Sequence, residues 1–149
     1  MKSKLLLVGL LLLCVSSFAQ KQKVTDVVNK TVVSSGTHFA TQMTDKKWAN
    51  TNGTSYTQAS YANYDGITYV KLKALQTVEV NFQYVVTIKK GSLLVTVVDN
   101  QENIVFEKNI TATEKGTFSL SLQGDKDYQL RFNGNQTKGA YFCQWLAMQ

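Results

Sequence analysis

The stretch VEVNFQYVVTI, Val78 to Ile88, constrains the fold of this chain more than any other. Val78, Val80, Phe82, Tyr84, Val86 and Ile88 occupy alternate positions, with Glu79, Asn81, Gln83 and Thr87 between them. Alternate residues share a face only in an extended strand; a helix would scatter them around its circumference. One face of this segment is therefore buried in a sheet. The same period of two precedes it in Val70, Leu72 and Ala74, and follows it in SLLVTVVD, NIVFEKNI, TFSLSL, YQLRFNG and GAYFCQW. Polar clusters separate these runs: Lys89-Lys90-Gly91, Asp99 to Asn103, Glu114-Lys115-Gly116, Gly124-Asp125-Lys126 and Gly134-Asn135-Gln136. No amphipathic segment of helical period lies between them. Short strands with regular polar turns predict an all-β fold, an antiparallel β-sandwich of jelly-roll type with about eight strands.

Residues 24 to 66 have no sustained period. VTDVVNKTVVS fits a first strand or a helical turn, and the polar, aromatic-rich segment from His38 to Gly66 reads as short strands and loops over one edge of the sheets. The chain has no proline, so turns fall to Gly, Asn and Asp, and no proline guards an exposed edge.

The N-terminus places the protein. Lys2 and Lys4 precede an apolar run from Leu5 to Val15, and Ser17 and Ala19 put small residues ahead of Gln20. The run reaches only about 17 Å as a helix, against ~30 Å of bilayer core, so it reads as a cleaved signal peptide and not as an anchor. Its ending, SSFAQ, resembles signals of secreted Gram-negative proteins. A lipoprotein signal using Cys14 is the rival, with Leu13 a poor residue before the lipidated cysteine. Residues 1–19 are thus expected to be removed, leaving 20–149 as a single periplasmic or extracellular domain that does not span a membrane. Lys plus Arg then falls from 16 to 14 against 10 acids. Only Lys46-Lys47 and Lys89-Lys90 are adjacent, so the cations read as scattered, serving solubility and not nucleic-acid binding.

Export also bears on Cys143, then the only cysteine and unable to form an internal disulfide. In GAYFCQW it shares a face with Tyr141 and Trp145, while Ala140, Phe142 and Gln144 form the other. Both faces are mostly apolar, which predicts a central strand buried on both sides and an inert thiol. A dyad with His38, the single histidine, would need an orienting group and an oxyanion hole that no spacing suggests. Nucleophile elbows, zincin motifs and phosphate loops are missing, zinc lacks ligands, and Asp99, Gln101, Glu102 and Asn103 read as a turn rather than a calcium loop. No cofactor or metal is expected.

Binding chemistry concentrates in the aromatic-polar segment. Sugar rings pack their C–H faces on aromatic rings while amides and carboxylates bond their hydroxyls. Trp48, Tyr56, Tyr61 and Tyr64, with Asn50, Asn52 and Asp65, have the right mixture for a glycan; the alternative is that these rings anchor loops over the core. Asn29, Asn52, Asn109 and Asn135 each begin an Asn-x-Thr triplet, expected to be unmodified behind a bacterial signal. The function expected is a non-catalytic exported binding module for a glycan. The alternatives are a structural domain contacting a cell-surface protein through its sheet edges, and a small hydrolase built on carboxylates.

Residues 91 to 145 resemble small bacterial extracellular sandwiches of the prepeptidase C-terminal type. Gly91, Leu93, Val95, Val97, Tyr128, Leu130, Gly134, Lys138, Gly139 and Tyr141 fit that pattern. Asp125-Lys126-Asp127 departs from it where a glycine is usual. The resemblance implies a fold, and loosely an accessory or binding role at the cell surface.

Overall fold

The computed structural model describes residues 24–149; the expected signal segment and Cys14 lie outside them. Seven strands form: β1 (Val32–Phe39), β2 (Ala49–Asn52), β3 (Tyr56–Ala74), β4 (Val78–Asp99), β5 (Ile104–Ile110), β6 (Glu114–Leu122) and β7 (Asp127–Ala147). Every pairing is antiparallel. Among the described residues no helix is long and apolar enough to cross a membrane.

Three strands are longer than the expected lengths, with 19 residues in β3, 22 in β4 and 21 in β7. Straight, each would extend about 60–70 Å at ~3.3 Å per residue. Yet Phe132 and Tyr141, both on β7, stack with ring centroids 3.8 Å apart and planes 2° from parallel. β7 is therefore folded back on itself. β3 and β4 bend at the same level, where their registers slip between Tyr61 and Gly66 and between Ile88 and Ser92. One sheet is thus creased into the two layers of a sandwich. The first layer runs β2, β3 (residues 56–61), β7 (139–147), β4 (78–88), β6. The second runs β1, β3 (66–74), β7 (127–134), β4 (92–99), β5.

The alternation of Val78–Ile88 places Val80, Phe82, Tyr84 and Val86 in the core, as expected. With Tyr141, Cys143 and Trp145 they face Val70, Leu72, Leu93, Val95, Val97, Leu130 and Phe132 of the other layer. Aromatic stacks close one side of the sandwich: Phe106 of β5 lies 3.5 Å from Phe118 of β6, which lies 4.7 Å from Phe82. The opposite side is closed by Asn52, whose Oδ1 accepts hydrogen bonds from the Thr37 and Thr57 hydroxyls at 2.9 and 2.7 Å. Trp48 packs there against Phe39 at 6.0 Å.

Several expectations need correction. Lys89-Lys90-Gly91 and Gly134-Asn135-Gln136 are not chain reversals but the bends at which β4 and β7 change layers. Gly91 has φ +71°, and a Cβ there would collide with the carbonyls of Asn135 and Gln136. Creasing merges runs that read as separate strands, so seven form in place of about eight. β3 begins at Tyr56, inside the segment that read as short strands and loops, and runs unbroken for 19 residues. GAYFCQW is central, between β3 and β4, but only the face carrying Tyr141, Cys143 and Trp145 is sealed. Ala140, Phe142 and Gln144 are half-exposed on the outer face.

Candidate functional site

That outer face of the first layer carries the candidate site. Cross-strand register builds it in rows, since directly opposed residues stand on the same side of a sheet. Gln58 opposes Phe142, Phe142 opposes Val85, and Val85 opposes Lys115. The next row is Tyr56, Gln144, Gln83 and Thr117. A third joins Leu146, Asn81 and Ser119. Tyr56 and Phe142 are diagonal neighbours, their rings stacked at 6.0 Å and 30°.

Beside Phe142, toward β4 and β6, the sheet holds a shallow depression of about 350 Å³, lined by Gln83, Tyr84, Val85, Lys115, Gly116, Thr117 and Phe142. Its size is at the lower end of small-ligand clefts, ~300–1,000 Å³. The amides beside it are ordered. Asn81 Nδ2 donates to Ser119 Oγ at 3.2 Å, Gln83 Nε2 to Asn81 Oδ1 at 3.4 Å, and Gln144 Nε2 to the Thr25 carbonyl at 2.8 Å. The surface thus combines flat apolar rings with neutral amide and hydroxyl groups and one cation, Lys115. No carboxylate lines the depression, so it lacks the paired acids of glycoside hydrolysis.

The residues expected from sequence are dispersed. Tyr61 and Tyr64 are interior rings at 5% and 0% exposure and offer no face to a ligand. Tyr64 Oη donates to the Phe132 carbonyl at 2.6 Å and accepts from Thr68 N–H at 2.9 Å, and burial pushes its hydroxyl up to about 12. Trp48 is half-buried, stacked on Tyr61 at 5.8 Å and 14°, with its indole N–H donated to Asn50 Oδ1 at 3.3 Å. Asn52 is taken up by Thr37 and Thr57. Asp65 is exposed at the β3 bend. Only Tyr56 stands on the outer face with the depression. Sequence reasoning missed Phe142, Gln58, Gln83 and Gln144; the available signal was one large ring among polar residues of like parity, misread as a second buried face.

The other chemical candidates resolve structurally. Cys143 is fully buried, and burial raises its thiol well above the ordinary range. His38 lies on the outer face of the second layer, stacked on Tyr69 at 5.1 Å, with Nε2 3.0 Å from Ser35 Oγ. The two never meet. In the 99–103 turn Asp99 Oδ1 accepts from the backbone N–H of Gln101 and Asn103 at 2.8 and 2.9 Å, and Glu102 pairs with Arg131 at 2.7 Å. These oxygens hold the turn together and do not converge on a cation.

No protein-family model matches the sequence, the prepeptidase C-terminal type included, and no curated protein matches it. Solved structures are similar at the level of fold. A CBM4 structure is 11% identical, with TM-score 0.45, over 70% of this chain and 77% of that one. The N-terminal cellulose-binding domain of Cellulomonas fimi β-1,4-glucanase C is 12% identical, with TM-score 0.42, over 83% and 93%. The secreted serine protease VesC from Vibrio cholerae is 14% identical, with TM-score 0.47, over 66% of this chain and 22% of the protease. At these values neither ligand nor activity transfers to this chain.

Proposed function

We propose that the protein is a non-catalytic glycan-binding module whose site is the outer face of the first layer. The observation that carries this reading is the stacking of half-buried Tyr56 on half-buried Phe142 on the outer face, where Phe142 and Gln83 line the depression and Gln58, Gln144 and Asn81 stand in the adjoining rows. An aromatic ring half-exposed on a sheet face gives up hydrophobic stabilisation that burial would bring. Sugar C–H faces recover it on binding, and the amides bond equatorial hydroxyls. Lys115 is the one charged residue of the lining, and the rest of it suits a largely neutral polysaccharide. Affinity electrophoresis in soluble β-glucan, xylan and mannan tests the proposal. The wild type should be retarded in at least one, and Phe142→Ala should migrate freely while keeping its fold; equal retardation of the two would refute the site.

A protein-interaction role is a second reading, favoured by β5. This edge strand exposes Ile104 and Val105 at 57% and 42%, and no proline guards it. Self-association in sedimentation that is lost in Val105→Lys, without any glycan retardation, would favour it.

A further inference from the structure

The crease gathers cations that are far apart in sequence. Lys90 of β4 is directly opposite Lys138 of β7, and Lys89 adjoins it. On the other flank of β7, Lys138 lies between Gly139 and Thr137, which pair with Tyr61 and Tyr64, so it stands against Ala62 and Asn63 of the β3 bend. Lys46 and Lys47 are fixed at that bend. Asp45 Oδ2 accepts from the N–H groups of Ala62 and Asn63 at 2.7 and 2.8 Å, and its Oδ1 from that of Lys47 at 2.9 Å. All five lysines are exposed, and none is in an ion pair among the described residues. The acids nearby are Asp45, turned onto backbone amides, and Asp65.

Like charges directly opposed across strands destabilise a sheet. Here the fold tolerates Lys90 against Lys138 and adds three more lysines along the same line. The expectation of scattered cations fails because bending brings the two adjacent pairs of the sequence to one ridge. Successive chains along it are about 5 Å apart, a step comparable with that between sugars of an extended polysaccharide. Between the lysines stand Asn63, Asn135 and Gln136, with no large apolar side chain to enter a bilayer. Phe39, the one exposed large ring on this side, is engaged with Trp48.

We propose that this ridge is a second binding surface, docking an acidic polysaccharide through Lys46, Lys47, Lys89, Lys90 and Lys138. It is independent of the Phe142 face. The test is binding of the protein to polygalacturonate and dextran sulfate over a range of salt. Lys89→Gln/Lys90→Gln/Lys138→Gln should weaken binding at low salt by at least about tenfold and flatten its salt slope by about two, as lost counterion release requires. Lys71→Gln/Lys73→Gln/Lys126→Gln, with the same change in net charge, should retain wild-type binding. Equal losses in both triples would reduce the effect to net charge and overturn the proposal. So would tighter binding to phosphatidylglycerol vesicles or duplex DNA than to the polysaccharides, or no binding to either polysaccharide. Phe142→Ala leaves this binding unchanged, so the two surfaces fail separately.

Discussion

Gly134 and Tyr64 lock the crease of the sandwich. The Tyr64 ring lies so close over Gly134 that a Cβ there would sit 2.5 Å from its Cδ1. Its hydroxyl spans the bend to the Phe132 carbonyl and to Thr68 N–H. Gly134→Ala should therefore destabilise by about 1–3 kcal/mol or more, as overpacking of a rigid site does. Tyr64→Phe leaves two buried backbone groups short of a partner and should cost about 1–3 kcal/mol. Urea denaturation checks both; wild-type stability in either would remove the crease from the account.

The Cys143 thiol should be silent in the native state. It is buried between layers with its ionisation suppressed, so a thiol reagent at neutral pH should label it only at the rate of unfolding, and quickly in denaturant. Labelling of Cys143 in seconds in the native protein would place the sulfur elsewhere.

Stability should fall on the alkaline side. Burial raises the hydroxyls of Tyr61, Tyr64, Tyr84 and Tyr141 above 10.0, Tyr64 and Tyr84 to about 12, and raises Cys143 above 9.0. A raised native value means that the unfolded chain ionises first. This contribution is therefore complete below about pH 9 and is lost as pH climbs toward about 12. Three acids act in the opposite sense, among them Asp99, lowered by the Asn103 side-chain amide and then by the Asn103 N–H. Asp26 is lowered first by the N–H of Thr54, against an upward push from burial, and then by the Thr54 hydroxyl and the N–H and hydroxyl of Ser55. At Asp45 burial pushes upward, but the N–H groups of Asn63, Lys47 and Ala62 outweigh it. Their contribution is present above 3.8 and lost as pH falls through the lowered native values. Melting temperature against pH should show a plateau between these limits; stability still rising from pH 9 to 11 would contradict it.

How much of this was legible in the sequence follows from where burial and alternation coincide. Val78–Ile88 was readable because every second side chain enters the core. Tyr56–Ser60 was not, because its inward residues, Thr57 and Ala59, are small and give no hydrophobic signal. Gly91 and Gly134 look alike whether a strand reverses or bends; partner strands continuing past them decide the outcome. Phe142 read as core because alternation separates two faces without saying which is covered. The lysine ridge was invisible because the β4–β7 register brings positions 90 and 138 together, and the hydrogen bonds of Asp45 bring position 46 to the β3 bend beside them.

Phe142→Ala should differ from a core truncation. Its ring is half-exposed on the outer face, so the loss of stability should stay below about 1 kcal/mol, whereas Phe82→Ala, fully buried, should cost about 3–5 kcal/mol. Thermal melts of the two variants give the comparison; equal losses would mean that Phe142 is core.

The most direct measurement is amide and side-chain shift mapping by NMR during titration with the oligosaccharide of whichever neutral glycan retards the protein. The expected shifts lie at Tyr56, Gln58, Gln83, Phe142 and Gln144. Shifts confined to Trp48, Asn50 and Asp65, with Phe142 unmoved, would contradict the account.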